Sequence, residues 1–84
     1  MQMDNKNLEN YISGTVEYIK FRNNDNGFTV LQLNDGDTLT TVVGVLPDIA
    51  EGETLKLWGK WDFHPDFGEQ FRAEQCEQAL PADT

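Results

Sequence analysis

Four groups of residues in this 84-residue chain are of types that do chemistry. The first is Gly52-Glu53-Thr54-Leu55-Lys56-Leu57-Trp58-Gly59-Lys60-Trp61. A phosphate-binding loop needs Gly, four residues, then Gly-Lys-Ser/Thr, so that backbone N–H groups and the lysine cradle phosphates while the hydroxyl holds magnesium. Here six residues intervene and Trp61 replaces the hydroxyl. The segment alternates like a strand, with no helix N-terminus to receive phosphate. It is read as structural, with a bend at Gly59. His64 is the sole candidate base near neutral pH, and a base needs a positioned nucleophile or water. Only Asp62 and Asp66 lie nearby, and Pro65 follows, so His64 is first a loop element and second a ligand contact. Cys76, between Gln75 and Glu77, has acidic surroundings that raise a thiol's pKa and suppress its reactivity. The last group joins aromatics to cations: Trp58 between Lys56 and Lys60, and Phe21 between Lys20 and Arg22. Such interleaving suits single-stranded nucleic acid, where bases stack on rings and cations follow the backbone. Small barrels also fill cores with aromatics, and exposed lysines guard strand edges. Phe21 is therefore assigned to the core. Trp58, out of phase with Leu55, Leu57 and Trp61, is a candidate contact.

Composition narrows the possibilities. The length suits one domain. With one cysteine there is no internal disulfide, and with one histidine a structural zinc site lacks ligands; no metal site is expected. A single thiol suits a reducing compartment, and no signal peptide or membrane-length apolar run occurs, so a cytoplasmic protein is expected. The net charge of −9 argues against strong, autonomous binding to a phosphate backbone.

The elements that position these residues are strands. Residues 1–10 read as a flexible leader, 11–78 as the folded domain and 79–84 as a tail or linker. Tyr11 to Arg22 is long for a strand; its alternation starts with Ile12, Val16 and Tyr18 in phase and then places Ile19 and Phe21 on the opposite phase, the mark of a bulge or of burial on both faces. Asn23 to Gly27 is a turn of residues that tolerate left-handed geometry, and Phe28 to Asn34 returns as a second strand. Asp35-Gly36 is a hairpin signal leading into Thr38 to Leu46. Pro47 ends that strand, and the connection has room for only one helical turn. Glu53 to Asp62 buries Leu55, Leu57 and Trp61 on one face. A loop over residues 63–69 precedes Gln70 to Glu77, where Phe71 and Ala73 point one way and Arg72, Glu74 and Cys76 the other.

Five strands with one apolar face cannot remain an open sheet at this size, because two edges and the face itself would stay exposed. Closure into a barrel solves both problems. The expected fold is all-β, a small five-stranded OB-type barrel with little or no helix. The long first strand favours it over an SH3-like barrel.

Four motifs, in order, then carry a resemblance: Gly27-Phe28-Thr29-Val30, Gly44-x-Leu46-Pro47, Gly59-x-Trp61 and His64-Pro65-x-x-Gly68-x-Gln70-Phe71. From Ser13 to Glu77 the chain resembles the N-terminal domain of RecD-like DNA helicases of the YrrC type, also called the alpha chain of exodeoxyribonuclease V. Trp58 departs from that pattern, where a smaller or polar residue is expected. The resemblance implies an OB-like module of a larger enzyme that unwinds DNA 5′ to 3′ with ATP and Mg in downstream motor domains. It implies a role in DNA repair and recombination, and no catalytic residue or cofactor in this segment.

OB barrels bind across strands two and three, rimmed by the loops after strands one and four. That geometry makes Arg22, Asn24, Asn26, Trp58, Lys60, His64 and Phe67 the candidate contacts. The expected partners are single-stranded DNA, held weakly, and the downstream helicase domains, with no membrane. The alternative is a module that docks on the motor or on another protein and never touches DNA.

Overall fold

A computed structural model describes residues 10–66 and 68–79. Residues 1–9 of the expected leader, residues 80–84 of the tail and Phe67 lie outside the described residues. Five strands, β1 (Asn10–Arg22), β2 (Phe28–Asn34), β3 (Leu39–Val45), β4 (Thr54–His64) and β5 (Gly68–Ala79), close into a barrel in the order β1-β2-β3-β5-β4, with β4 pairing back to β1. All pairs are antiparallel except β3 with β5, joined in parallel through Val42 beside Phe71 and Val43 beside Arg72. No helix forms among the described residues, so none there could cross a membrane.

The phase flip of β1 resolves into two bulges, one between Val16 and Tyr18 and one between Ile19 and Phe21. Each extra residue turns the following side chain to the other face, so Val16 is buried and Ile19 packs on the core, while Tyr18 and Phe21 face outward. Bending at these points lets β1 pair with β4 through its first half and with β2 through its second. The interior holds Val16, Leu31, Leu33, Val42, Leu55, Leu57 and Phe71 at its centre. Leu46 and Ile49 come in from the β3–β4 connection. That connection is irregular, and hydrogen bonds to other strands hold it in place. Ile19 N–H donates to Glu51 Oε2 at 3.0 Å, Gly52 N–H to Val16 O at 2.8 Å, and Val16 N–H to Glu53 O at 2.8 Å. The Glu51 contact satisfies a backbone donor at the second bulge.

Three expectations need correction. β4 runs on to His64, so the loop after it shrinks to a tight turn. A register shift between Trp58 and Gly59 leaves Glu74 as an extra residue on β5, which reverses the phase and turns Cys76 onto the core. There burial, and then the Glu53 carboxylate, push its thiol above the usual range. Trp61 occupies the inward phase but remains 41% exposed at the barrel end, with its ring edge-on to Phe71 at 5.1 Å.

In the turn after β1 the left-handed position falls on Gly27 (φ 81°), and no described non-glycine residue has positive φ. Asn23 and Asn26 instead accept backbone N–H groups, from Asp25 and Phe28. Gly59 matters for a different reason. A Cβ there would run into the Arg72 carbonyl oxygen and stand 3.1 Å from Ala73 Cα, and both obstacles are backbone. Gly59→Ala is therefore expected to destabilise the barrel by about 2–3 kcal/mol, the usual range for overpacking without room to relax. A urea midpoint equal to that of the parent chain would refute it.

Candidate functional site

Alternation that buries Thr29, Leu31 and Leu33 on β2, and Val42 on β3, leaves an outer surface that is also apolar. Phe28 and Val30 project from β2, and Thr41, Val43 and Val45 from β3, along one side of a groove of about 930 Å³. β1 contributes Lys20 and Phe21. Phe21 is 51% exposed, so its assignment to the core is overturned: the Ile19–Phe21 bulge rotates it outward. Its ring lies 6.4 Å from Phe28, tilted by 55°. The opposite wall comes from Gln70, Arg72 and Glu74 of β5 with His64 of β4.

Charge in the groove is sparse and mixed. Lys20 and Arg72 supply the cations and Glu74 an anion. Arg72 Nη1 lies 3.6 Å from Asp62 Oδ2, with both side chains largely in water. Such a pair is worth at most about 1 kcal/mol, so a phosphate competes for the guanidinium at little cost. Lys60 is the cross-strand partner of Arg72, and both side chains are exposed. Facing pairs share a sheet surface, so a second cation stands beside the groove wall.

The sequence-derived candidates separate accordingly. His64 lines the groove, its Nδ1 accepting Asp66 N–H at 3.0 Å. That hydrogen bond places the ring's own proton on Nε2 when the imidazole is neutral. Lys60 borders the groove. Arg22 does not enter it: its Nη1 donates to Thr29 Oγ1 (2.8 Å), Pro47 O (3.1 Å) and Leu46 O (3.3 Å), tying β1 to the β3–β4 connection. Asn26 is committed to the turn, and Asn24 is exposed at its tip. Trp58 packs on its cross-strand partner Tyr11 at 5.2 Å, between β1 and β4, and does not line the groove. Phe67 lies outside the described residues. The sequence reading passed over Phe28, Val30, Val43 and Val45, although strands apolar on both phases were the available signal.

No group of three or more His, Cys, Asp or Glu among the described residues could hold a metal ion. Gly52 to Trp61 does not fit ATP either, since Lys60 and Trp61 sit within β4.

A sequence model of the OB-fold domain of the ATP-dependent DNA helicase YrrC matches residues 9–81. The chain belongs to that family. The ATP-dependent RecD2 DNA helicase of Deinococcus radiodurans is 33% identical to it over 78 residues, covering 86% of this chain and 11% of that relative. The chain thus spans about a tenth of the relative's length. In this YrrC-type OB domain several of the motif residues turn out to be architectural: Gly27 makes a turn, Thr29 receives Arg22, Leu46 fills the core, Gly59 lets β4 and β5 approach, and Phe71 is buried.

Proposed function

We propose that this barrel is a non-catalytic module that handles single-stranded DNA for a RecD-type ATP-dependent 5′-to-3′ helicase acting in DNA repair and recombination. ATP and Mg belong to that enzyme's motor domains, which are also the module's partners in the same chain. The observation that carries this reading is the groove across β2 and β3, whose lining holds the Phe21–Phe28 pair together with the cations Lys20 and Arg72. Unpaired bases have faces to stack on these rings, and the flanking cations, joined by Lys60, meet the backbone. A duplex hides those faces. With a net charge of −9 over the chain, affinity is modest and depends on salt.

The test is titration of the 84-residue chain with a fluorescent 12-nucleotide single strand at low salt, with chemical shifts followed in parallel. Shifts are expected at Phe28, Val43, His64 and Arg72. Three cations predict a slope of about −2 for log K against log salt concentration, from roughly −0.7 per neutralised phosphate on single strands. Phe21→Ala with Phe28→Ala is expected to weaken binding by at least about thirtyfold, since two rings are removed and each stacked base contributes roughly 1–3 kcal/mol. Full retention of affinity in the double variant would overturn the proposal.

The net charge and the apolar groove lining favour a second reading, in which the same face docks on the helicase motor or another protein. Absence of any oligonucleotide-induced shift, together with saturable shifts at the same residues on adding motor domains, would select it.

A further inference from the structure

Beyond the β5 wall of the groove lies a second pair of rings, on the outside of β1 and β4. β4 sends Leu55 and Leu57 into the core and Lys56, Trp58 and Lys60 to the outer side. Trp58 is partly buried, with the ring of its β1 partner Tyr11 set against it at 5.2 Å and tilted by 44°. Tyr11 is itself 50% exposed. An outward cross-strand pair adds less to a barrel than the same rings would add in its core.

Strand register ties this face to the groove. Val43 of β3 stands beside Arg72 of β5, and Arg72 stands beside Lys60 of β4. Val43 and Arg72 line the groove, and Lys60 is exposed next to it. The next outward row across β5, β4 and β1 is Gln75, Trp58 and Tyr11. Neighbouring strands are about 4.8 Å apart, and outward residues of one strand recur about every 7 Å. Lys60 therefore stands roughly 10 Å from Val43 along the barrel surface, with Trp58 about 7 Å further along β4. A nucleic-acid backbone leaving the groove over Arg72 meets Lys60 and then the rings. Carboxylates limit the charge available: Glu77 is the cross-strand partner of Lys56, and Asp62 pairs with Arg72 at 3.6 Å. Glu77 offsets Lys56, so the contact beyond the Arg72–Lys60 row rests on stacking, which every base offers.

We infer that the Tyr11–Trp58 pair is a second stacking platform for the same single strand, reached over Arg72 and Lys60, and that it holds a base whatever its identity. This inference rests on the single-strand reading above and extends the footprint from the groove to the β1–β4 face. The two cations that lie between the ring pairs favour a polyanion over an apolar protein surface.

The experiment titrates 4- and 12-nucleotide dT strands at low salt into the 84-residue chain and its Trp58→Val variant, in which valine keeps strand propensity and removes the ring. Four nucleotides is the lower end of what one OB barrel covers, and twelve lies well within its range. Trp58→Val is expected to weaken binding of the 12-mer by at least about fivefold, the lower end for one stacked base, and to leave the 4-mer within about twofold. In the parent chain the Trp58 indole N–H resonance should shift with the 12-mer and stay in place with the 4-mer, while Phe28 and Val43 shift with both. Unchanged 12-mer affinity in the variant overturns the inference, and a lowered urea midpoint beside it assigns the pair to sheet stability. The groove reading survives that result if the Phe21/Phe28 double variant still loses affinity. Equal losses for the two strands also overturn it, because they report a general disturbance of the barrel. Should the variant fail to fold, the parent resonances decide: a 12-mer that moves Phe28 and Val43 and leaves the Trp58 indole unmoved overturns the second platform. No binding of the 12-mer by the parent chain removes both readings together.

Discussion

Phe71→Ala is expected to cost the barrel about 3–5 kcal/mol of its stability. Phe71 is fully buried and stands on β5 where the barrel closes: Val42 of β3 lies beside it on one side and Trp61 of β4 on the other. Truncation removes contacts from the core and takes away the ring against which Trp61 packs. It also opens a cavity at the parallel β3–β5 seam, where only Val42–Phe71 and Val43–Arg72 are in register. A chain of 84 residues has a total stability on the order of 4–13 kcal/mol, at about 0.05–0.15 kcal/mol per residue. With one cysteine, no disulfide within the chain limits the unfolded state. Far-UV dichroism with a urea titration measures the effect. Phe63→Ala serves as the control, since Phe63 is 72% exposed and should stay within about 0.5 kcal/mol of the parent. Equal losses at the two positions would show that Phe71 is not the keystone of the closure.

Arg22→Met is expected to cost about 2–3 kcal/mol of stability and to leave oligonucleotide affinity of the folded protein unchanged. Methionine keeps most of the stem but none of the donors. The charged guanidinium bonds to Thr29, Leu46 and Pro47 are lost, and hydrogen bonds to charged groups contribute roughly 1.5–3 kcal/mol in such settings. The Thr29 hydroxyl retains Gly27 O as a partner, which limits the damage there. The Leu46 carbonyl has no such alternative among the described residues. Amide exchange should therefore accelerate first over residues 46–53, which carry Leu46 and Ile49 into the core. A variant of parental stability that had lost DNA binding would reverse this assignment and return Arg22 to the ligand.

How much of this was legible beforehand follows from which residues act locally. Leu55, Leu57 and Phe71 declared their faces through period-two alternation, because a pleated strand sends successive side chains to opposite sides whatever lies around it. β2 could be placed to the residue because turn signals flank it on both sides, and the need to remove both edges of a five-stranded sheet made closure the expected outcome. The motifs around Gly27, Gly44, Gly59 and His64 placed the chain in its helicase-domain family without reference to any contact.

What the order of residues alone could not decide was set by bulges and by distance along the chain. Two extra residues in β1 turned Phe21 outward, and one in β5 turned Cys76 inward, because register depends on the partner strand. Arg22 looked like a cation waiting for phosphate. Its acceptors, Leu46 O and Pro47 O, lie more than twenty positions away, and only folding brings them to it. Gln70 gave no local sign of burial, since the groove it lines is assembled from strands far apart in the sequence. The strands and the barrel were thus determined by local pattern and by the cost of open edges. The groove, and the polar group buried in its wall, exist only where distant strands meet.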